Sequence, residues 1–445
     1  MPTRLDMAAH MLVALFLISV LAAPGASTPV AALACFASLA AGWHQWRQDA
    51  RDGFRHMSVL VVPAAIYLLL LAGQLATGAA PVSLGSHILI GLLTLGAALS
   101  GVPNRIPDVR RWLLPAAAIG AICTCVLALY QVHFLDYPRP YGWLGGGTLG
   151  NGAIKFGDLA ALQALLSLVL VLTAGTVGAR VLGLAGLFCG MLALALTQTR
   201  GGVLGFLLAV IVLGLGLALR HRRGSAATIG GALNGGGVIA RRATTRRGTA
   251  ALMVAFALVL TIFAASFMQE RFAQIEPQIQ RYLHGDVDSE VGQRLTLWKA
   301  AARAGLHAPL AGIGFGRFSE ELDRQIRIGD IGGSETLLYR QAHSEYLASF
   351  AHAGVPGLLA LLLMFLAPAY SLVRQIRVGA GSPAAYAALV STTAFAGFAL
   401  TDDMFDRQIT VVAFFLVNAW LLRAALPSRA VLPSRAAPDL PRSRR

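Results

Sequence analysis

Charged side chains are scarce in this sequence. Asp, Glu, Lys and Arg make up 13% of its 445 residues, and the mean hydropathy is +0.66. A soluble chain of this size carries about a quarter charged residues, so a soluble multidomain enzyme is excluded. Cysteine is also scarce. Cys35, Cys123, Cys125 and Cys189 all fall inside apolar runs. A disulfide framework or a zinc site would place them in loops at motif spacing, so these four are read as packing residues. Acidic residues are outnumbered 36 to 21 by basic ones, giving a net charge of +15 and a pI near 10.6. No repeat of 20–50 residues is evident.

What the chain has in abundance is long apolar runs. A bilayer core needs about 20 consecutive apolar residues per spanning helix. Twelve candidate spans follow: 8–26, 28–45, 57–79, 83–102, 112–133, 158–177, 180–198, 202–220, 249–268, 353–373, 382–401 and 408–424. The first is read as retained rather than as a signal peptide, because only Arg4 flanks it and a second apolar run follows closely. An even number of spans leaves both termini on one side. That side holds 23 of the 36 basic residues against five acids, a balance of +18, and the other side holds −3. The positive-inside rule makes the +18 face, including the Arg-rich segment 221–248, cytoplasmic. The basic pI is thus explained by topology and attraction to anionic membrane lipids, with no nucleic-acid partner required.

The expected organisation is spans one to nine over 1–269, a helical loop over 270–352, spans ten to twelve over 353–424, and a basic tail over 425–445. The loop 270–352 is not low-complexity. Helical patterns at Gln269–Leu283, Gln293–Leu306, Ser319–Ile328 and Thr336–Phe350 alternate with the Gly-rich breaks Gly312–Gly316 and Gly332–Gly333. A folded all-α subdomain outside the membrane fits better than a linker.

Polar residues in such a chain point to a site, because a transmembrane core accommodates them at a cost. On the −3 face they are Lys155, Arg200, Arg294, His343 and the acids Asp402, Asp403 and Asp406. Arginine and lysine near glycine-rich backbone suit an anion, phosphate above all. Each also has a plainer reading. Arg200 can cap the junction of spans seven and eight, Arg294 can be a solvated helix charge, and Lys155 can snorkel. Asp402 and Asp403 can be solvated loop charges, or they can position a sugar or a basic residue. Trp298 suits either interfacial packing or a sugar platform. The run Gly145–Gly152 lacks the Lys-Ser/Thr ending of a P-loop. His343 is expected to open the helix leading into span ten, with Tyr346, Leu347 and Phe350 on its face. An imidazole there can take a proton from a hydroxyl.

One spacing sharpens the choice. His343-Ser344 is followed by nine residues and then Gly354-Val355-Pro356-Gly357. This resembles the His-[Asn/Ser/Gln/Thr]-x9-Gly-x-x-Gly pattern of the O-antigen ligases, in the large loop before a late span. Arg294 to Trp298 resembles that family's Arg-x3-Trp element, and Gly312-Ile313-Gly314 its Gly-x-Gly element. Thr199-Arg200-Gly201 is similar to its polar-Arg-Gly element, and Gly150-Asn151 to its Gly/Asn loop, although Asn151-Gly152-Ala153 departs from the usual Asn-Pro-Asn form. The likeness covers about 145–360.

The resemblance implies a polytopic all-α membrane-embedded glycosyltransferase of the bacterial inner membrane. Such an enzyme moves polysaccharide from undecaprenyl pyrophosphate to a sugar hydroxyl of lipid A–core on the periplasmic face, without metal or nucleotide cofactor. It implies His343 as general base or orienting group. Arg200, Arg294 and Lys155 would hold the donor pyrophosphate, with Asn151, Trp298, Asp402 and Asp403 placing sugar or acceptor. Inverting displacement is the expectation, because no carboxylate pair is placed for a covalent intermediate. O-antigen polymerases and protein O-oligosaccharyltransferases share the donor and similar motifs. A secondary transporter or lipid flippase also fits twelve spans, but transporters keep their polar sites near the midplane. A non-catalytic scaffold would leave His343 and the arginines replaceable.

Overall fold

The computed structural model describes residues 3–43, 46–78, 80, 84–100, 102–105, 108–141, 152–229, 262, 266, 269, 273–331, 340–378 and 381–425. Among these residues all regular structure is helical. The elements are α1 (Arg4–Ala22), α2 (Pro24–Gly42), α3 (Trp46–Ala76), α4 (Gly85–Leu99), α5 (Val102–Arg105), α6 (Leu113–His133), α7 (Gly152–Thr173), α8 (Val177–Thr197) and α9 (Arg200–Ile229). They continue with α10 (Ile275–Leu283), α11 (Glu290–His307), α12 (Phe318–Arg327), α13 (Glu345–Arg377), α14 (Pro383–Phe398) and α15 (Gln408–Ala425).

Eleven of the twelve expected spans fall on helices, and the span 249–268 lies almost wholly outside the described residues. Among the described residues eight helices are long and apolar enough to cross a membrane: α1, α3 from Met57, α6, α7, α8, α9 to Ala218, α13 and α15. α2, counted from Ser27, and α4 are apolar but shorter. Fifteen residues of α4 rise about 22 Å, short of a bilayer core. α14 has 16 residues and packs against α7, α9, α13 and α15. The fold is that of a polytopic α-helical membrane protein.

The bundle closes around α7 and α15, which are buried along nearly their whole lengths. α8 reaches α7 through glycine. A Cβ on Gly190 would sit 2.8 Å from Ala164 Cβ, and one on Gly183 would sit 2.8 Å from Val171 Cγ2. Small residues let backbones approach where lipid offers no hydrophobic contrast between helices. Outward-facing Leu69, Leu89, Val126, Ile211 and Leu366 stay exposed and apolar, as a lipid-facing surface requires.

A second, smaller core lies beyond the bundle. Leu297, Ala300, Ala301 and Ala304 of α11 pack on Phe318 and Leu322 of α12 and on Ala348 and Ala351 of α13. The helical loop is therefore folded, as its patterning indicates. One expected pattern differs. Thr336–Phe350 does not form a single helix: 336–339 lie outside the described residues, 340–344 are irregular, and α13 starts at Glu345.

Candidate active site

The termini of α7, α9, α11, α13 and α15 and the loop 399–407 meet at one end of the bundle. They gather Lys155, Arg200, Arg294, His343, Asp402 and Asp403, which lie as much as 248 positions apart in sequence. Asn151 lies outside the described residues.

The two glycine elements explain how α13 is aimed at this site. Gly354 has φ of +64°, and with Ala353 it breaks the helical backbone inside α13. Pro356 has no N–H, so the carbonyl of His352 loses its usual helical donor. Gly314 N–H takes that role at 3.1 Å, and the Gln74 side-chain amide of α3 donates to the same carbonyl at 2.8 Å. Ile313 N–H donates to Ala351 O at 2.8 Å, while Val355 N–H turns to Pro309 O at 2.7 Å. The Gly312–Gly314 loop thus clasps the kink. A Cβ on Gly354 would meet Pro309 O at 2.3 Å, and one on Gly312 would meet the His352 backbone at 2.2 Å. The spacing from His343 to Gly354 and Gly357 is the length of the helical segment between site and clasp.

His343 does not open the helix, contrary to expectation. It precedes the N-cap, Ser344, and has φ of +49°, a left-handed conformation uncommon for a residue with a Cβ. Tertiary hydrogen bonds hold it there. Asp403 accepts from the backbone N–H of Ser344 at 2.9 Å and of His343 at 3.3 Å. Trp298 Nε1 donates to the His343 carbonyl at 3.3 Å. Trp298 therefore steadies the backbone at His343 through its indole N–H.

The His343 imidazole turns its Nδ1 to Asp402 Oδ1 at 3.3 Å. Both side chains are 2% exposed. A carboxylate at Nδ1 favours the tautomer with its proton there, leaving the lone pair on Nε2. The other oxygen of Asp402 lies 2.6 Å from Lys155 Nζ. Lys155 also meets Asp406 Oδ1 at 3.2 Å and donates to the Asp403 carbonyl. Lys155 is thus engaged by the acid loop, in the place where a cation among carboxylates would sit. Among the described residues no group of three or more His, Cys, Asp or Glu could hold a metal ion.

The two neighbouring aspartates are driven in opposite directions. Burial would raise Asp402, but the Lys155 charge and the His343 hydrogen bond outweigh it and hold the carboxyl far below its ordinary range. Asp403 is raised, by burial first and then by the charges of Glu345, Asp402 and Asp406.

Arg200 and Arg294 flank this core. Arg200 is the first residue of α9, so its guanidinium stands beside a helix N-terminus, itself a source of positive potential. Arg294 donates weakly to Thr401 O at 3.5 Å, tying α11 to the acid loop.

Three site residues escape a reading of the sequence. Glu345 is the buried hub of the acid loop. It accepts from Phe405 N–H at 2.9 Å and Tyr67 O–H at 3.3 Å, while its own N–H donates to Ala399 O at 2.9 Å. Asp158, one turn after Lys155, is fully buried, and its carboxylate oxygens make no hydrogen bond with the described residues. Glu290 faces both arginines. In sequence Glu345 falls inside the helical pattern Thr336–Phe350, with nothing local to set it apart.

A cavity of about 270 Å³ lies on the far side of the acid loop. Tyr67, Phe315, Glu345, Asp403, Phe405 and Asp406 are among its walls, and Lys155 and His343 are not.

Comparison with known proteins relates the chain to a family model and to a curated protein. A family model described as O-Antigen ligase matches residues 185–362, which include Arg200, Arg294, Trp298 and His343 but not Lys155 or the acid loop. An uncharacterized protein of Haemophilus influenzae is 24% identical over 275 residues, 61% of this chain and 62% of the relative, so the alignment spans less than two thirds of that relative's length. With its helical membrane fold and its matched region enclosing the histidine and both arginines, the chain is consistent with the O-antigen ligase superfamily, to whose family model residues 185–362 are similar.

Proposed function

We propose that this protein is an O-antigen ligase. It would transfer polysaccharide from undecaprenyl pyrophosphate to a sugar hydroxyl of lipid A–core, at the periplasmic face of a bacterial inner membrane. The matched family supports lipid-linked sugar chemistry in general. In this orientation both termini are cytoplasmic, 270–352 is the large periplasmic loop, and the site end of the bundle faces the periplasm.

The observation that carries the reading is the Asp402–His343 pair, held by Lys155, with Arg294 tied to the same acid loop at Thr401 and joined to Arg200 through Glu290. Asp402 sets Nδ1 of the imidazole as the donor, so Nε2 takes the proton of the acceptor hydroxyl. The hydroxyl oxygen attacks the anomeric carbon as the bond to pyrophosphate breaks, with inversion. The leaving diphosphate carries away the electron pair, and Arg200 and Arg294 stabilise its growing charge. Lys155 holds Asp402 and Asp406 in place. Carboxylates already surround it, so it acts on the donor site through the acid loop. Asp403 and Trp298 fix the backbone of His343. The diphosphate is its own activated leaving group, so no nucleotide is required.

The test is expression in a Gram-negative host that lacks its own ligase and makes a matching lipid A–core. Restoration of a polymer-bearing lipopolysaccharide ladder is expected. Absence of the ladder with lipid-linked donor demonstrably present would exclude the ligase reading.

A further inference from the structure

The carboxylate of Glu290 lies between two guanidinium groups that reach it from different helices. Its Oε2 is 3.9 Å from Arg200 of α9, and its Oε1 is 3.8 Å from Arg294 of α11. A plain explanation covers half of this. Glu290 is the first residue of α11, after the Ser289 cap, where an acid suits the helix dipole, and it pairs with Arg294 at i,i+4. It does not account for Arg200, ninety residues earlier and at the start of another helix. Two guanidinium groups facing one point repel unless an anion lies between them.

We propose that Glu290 is a resident stand-in for the donor's diphosphate. It neutralises the Arg200–Arg294 pair while the site is empty and is displaced when the diphosphate enters. This rests on the donor-binding role given to the arginines above.

Three features favour a displaceable occupant over a fixed strut. Both separations are near the outer limit for an ion pair, well beyond the roughly 2.8 Å of a strong charge-assisted hydrogen bond. The Glu290 side chain is 40% exposed while the arginines are 16% and 22% exposed, so the carboxylate can swing outward and the guanidiniums cannot follow. A carboxylate also offers one negative charge and two oxygens, whereas a diphosphate ester offers more of both and can engage each arginine bidentately. The incoming ligand therefore outcompetes the side chain. After transfer, Glu290 returns and opposes rebinding of the diphosphate product, so it favours release at the expense of affinity.

Removing a competitor has an effect opposite to removing a support. The experiment uses the full-length protein in lipid nanodiscs with farnesyl diphosphate as a short-chain probe, its binding measured by calorimetry for wild type, Glu290→Gln, Glu290→Ala and Arg294→Ala. Both Glu290 variants are expected to bind about three- to ten-fold more tightly than wild type, the range that loss of two partly exposed ion pairs implies. Arg294→Ala is expected to lose binding. In steady state with a full donor, Glu290→Gln is expected to lower both KM and kcat as product release slows. Unchanged or weaker binding in the Glu290 variants, with Arg294→Ala still defective, would overturn the stand-in role and leave the donor site intact. Equal binding by all four proteins would overturn the donor reading and this inference together.

Discussion

Lys155 and His343, 188 positions apart, share a single carboxylate. Nζ of Lys155 lies 2.6 Å from Oδ2 of Asp402, and the other oxygen of Asp402 faces His343 Nδ1 at 3.3 Å. The imidazole is therefore oriented by a group that is itself held by a buried ammonium. This makes the acid loop a part of the site and not a solvated turn.

Breaking that arrangement has an asymmetric cost. Lys155→Met leaves the buried Asp402 and the half-buried Asp406 without their cation, and a loss of about 3–5 kcal/mol is expected, as for other buried pairs cut on one side. Lys155→Met combined with Asp402→Asn removes one of the unpaired charges, so part of the stability returns. Activity does not, because Asn cannot orient the imidazolium in the same way. Melting temperatures and transfer rates of the three proteins check this. A double variant no more stable than Lys155→Met would show that the pair is not coupled.

The kink clasp predicts a structural effect with a catalytic echo. Gly354→Ala places a Cβ on a backbone with φ of +64° and 2.3 Å from Pro309 O. The conformational part alone amounts to about 1–3 kcal/mol. The lower melting temperature is expected together with protease sensitivity in the 308–316 segment, because the Gly312–Gly314 loop loses its seat. Wild-type stability in Gly354→Ala would remove the physical account of the spaced motif.

The pH dependence follows from Asp403. Its raised carboxyl binds a proton more tightly in the folded chain than in the unfolded one, where its value is ordinary. The associated stability is full below the ordinary carboxylate range and is lost as pH rises through the raised value. Asp402 is depressed, so its contribution disappears only in strong acid. From about pH 4 to about pH 7, wild type should therefore lose stability relative to Asp403→Asn. Parallel melting curves for the two proteins would show that Asp403 does not titrate there.

Much of this was legible in the sequence because charge is costly in an apolar chain. Lys155, Arg200, Arg294, His343 and the acids at 402 and 403 stand out for that reason, and the structure places all of them at one end of the bundle. Their pairings were not legible. Nothing local joins Lys155 to Asp402, and its cationic charge suggested phosphate when its actual neighbours are carboxylates. The helix expected at His343 failed because the Asp403 carboxylate captures two backbone N–H groups, a tertiary contact that overrides periodicity. Glu290 and Glu345 carry no local signal, since the partners that distinguish them, Arg200 and Tyr67, come from distant helices. The basic segment from 230 to 248 and the tail from 426 lie outside the described residues, as does Asn151.

The central claim is that His343 is the base in transfer from a lipid-linked diphosphate. It is tested most directly by a single-turnover assay of the purified protein in nanodiscs, with undecaprenyl pyrophosphate-linked polysaccharide and lipid A–core, for wild type and His343→Ala. Wild type is expected to form the glycosidic product, and His343→Ala to be slower by about 10²- to 10⁴-fold with donor affinity unchanged. Transfer by His343→Ala at the wild-type rate would contradict the base assignment, and no transfer by wild type would contradict the enzyme itself.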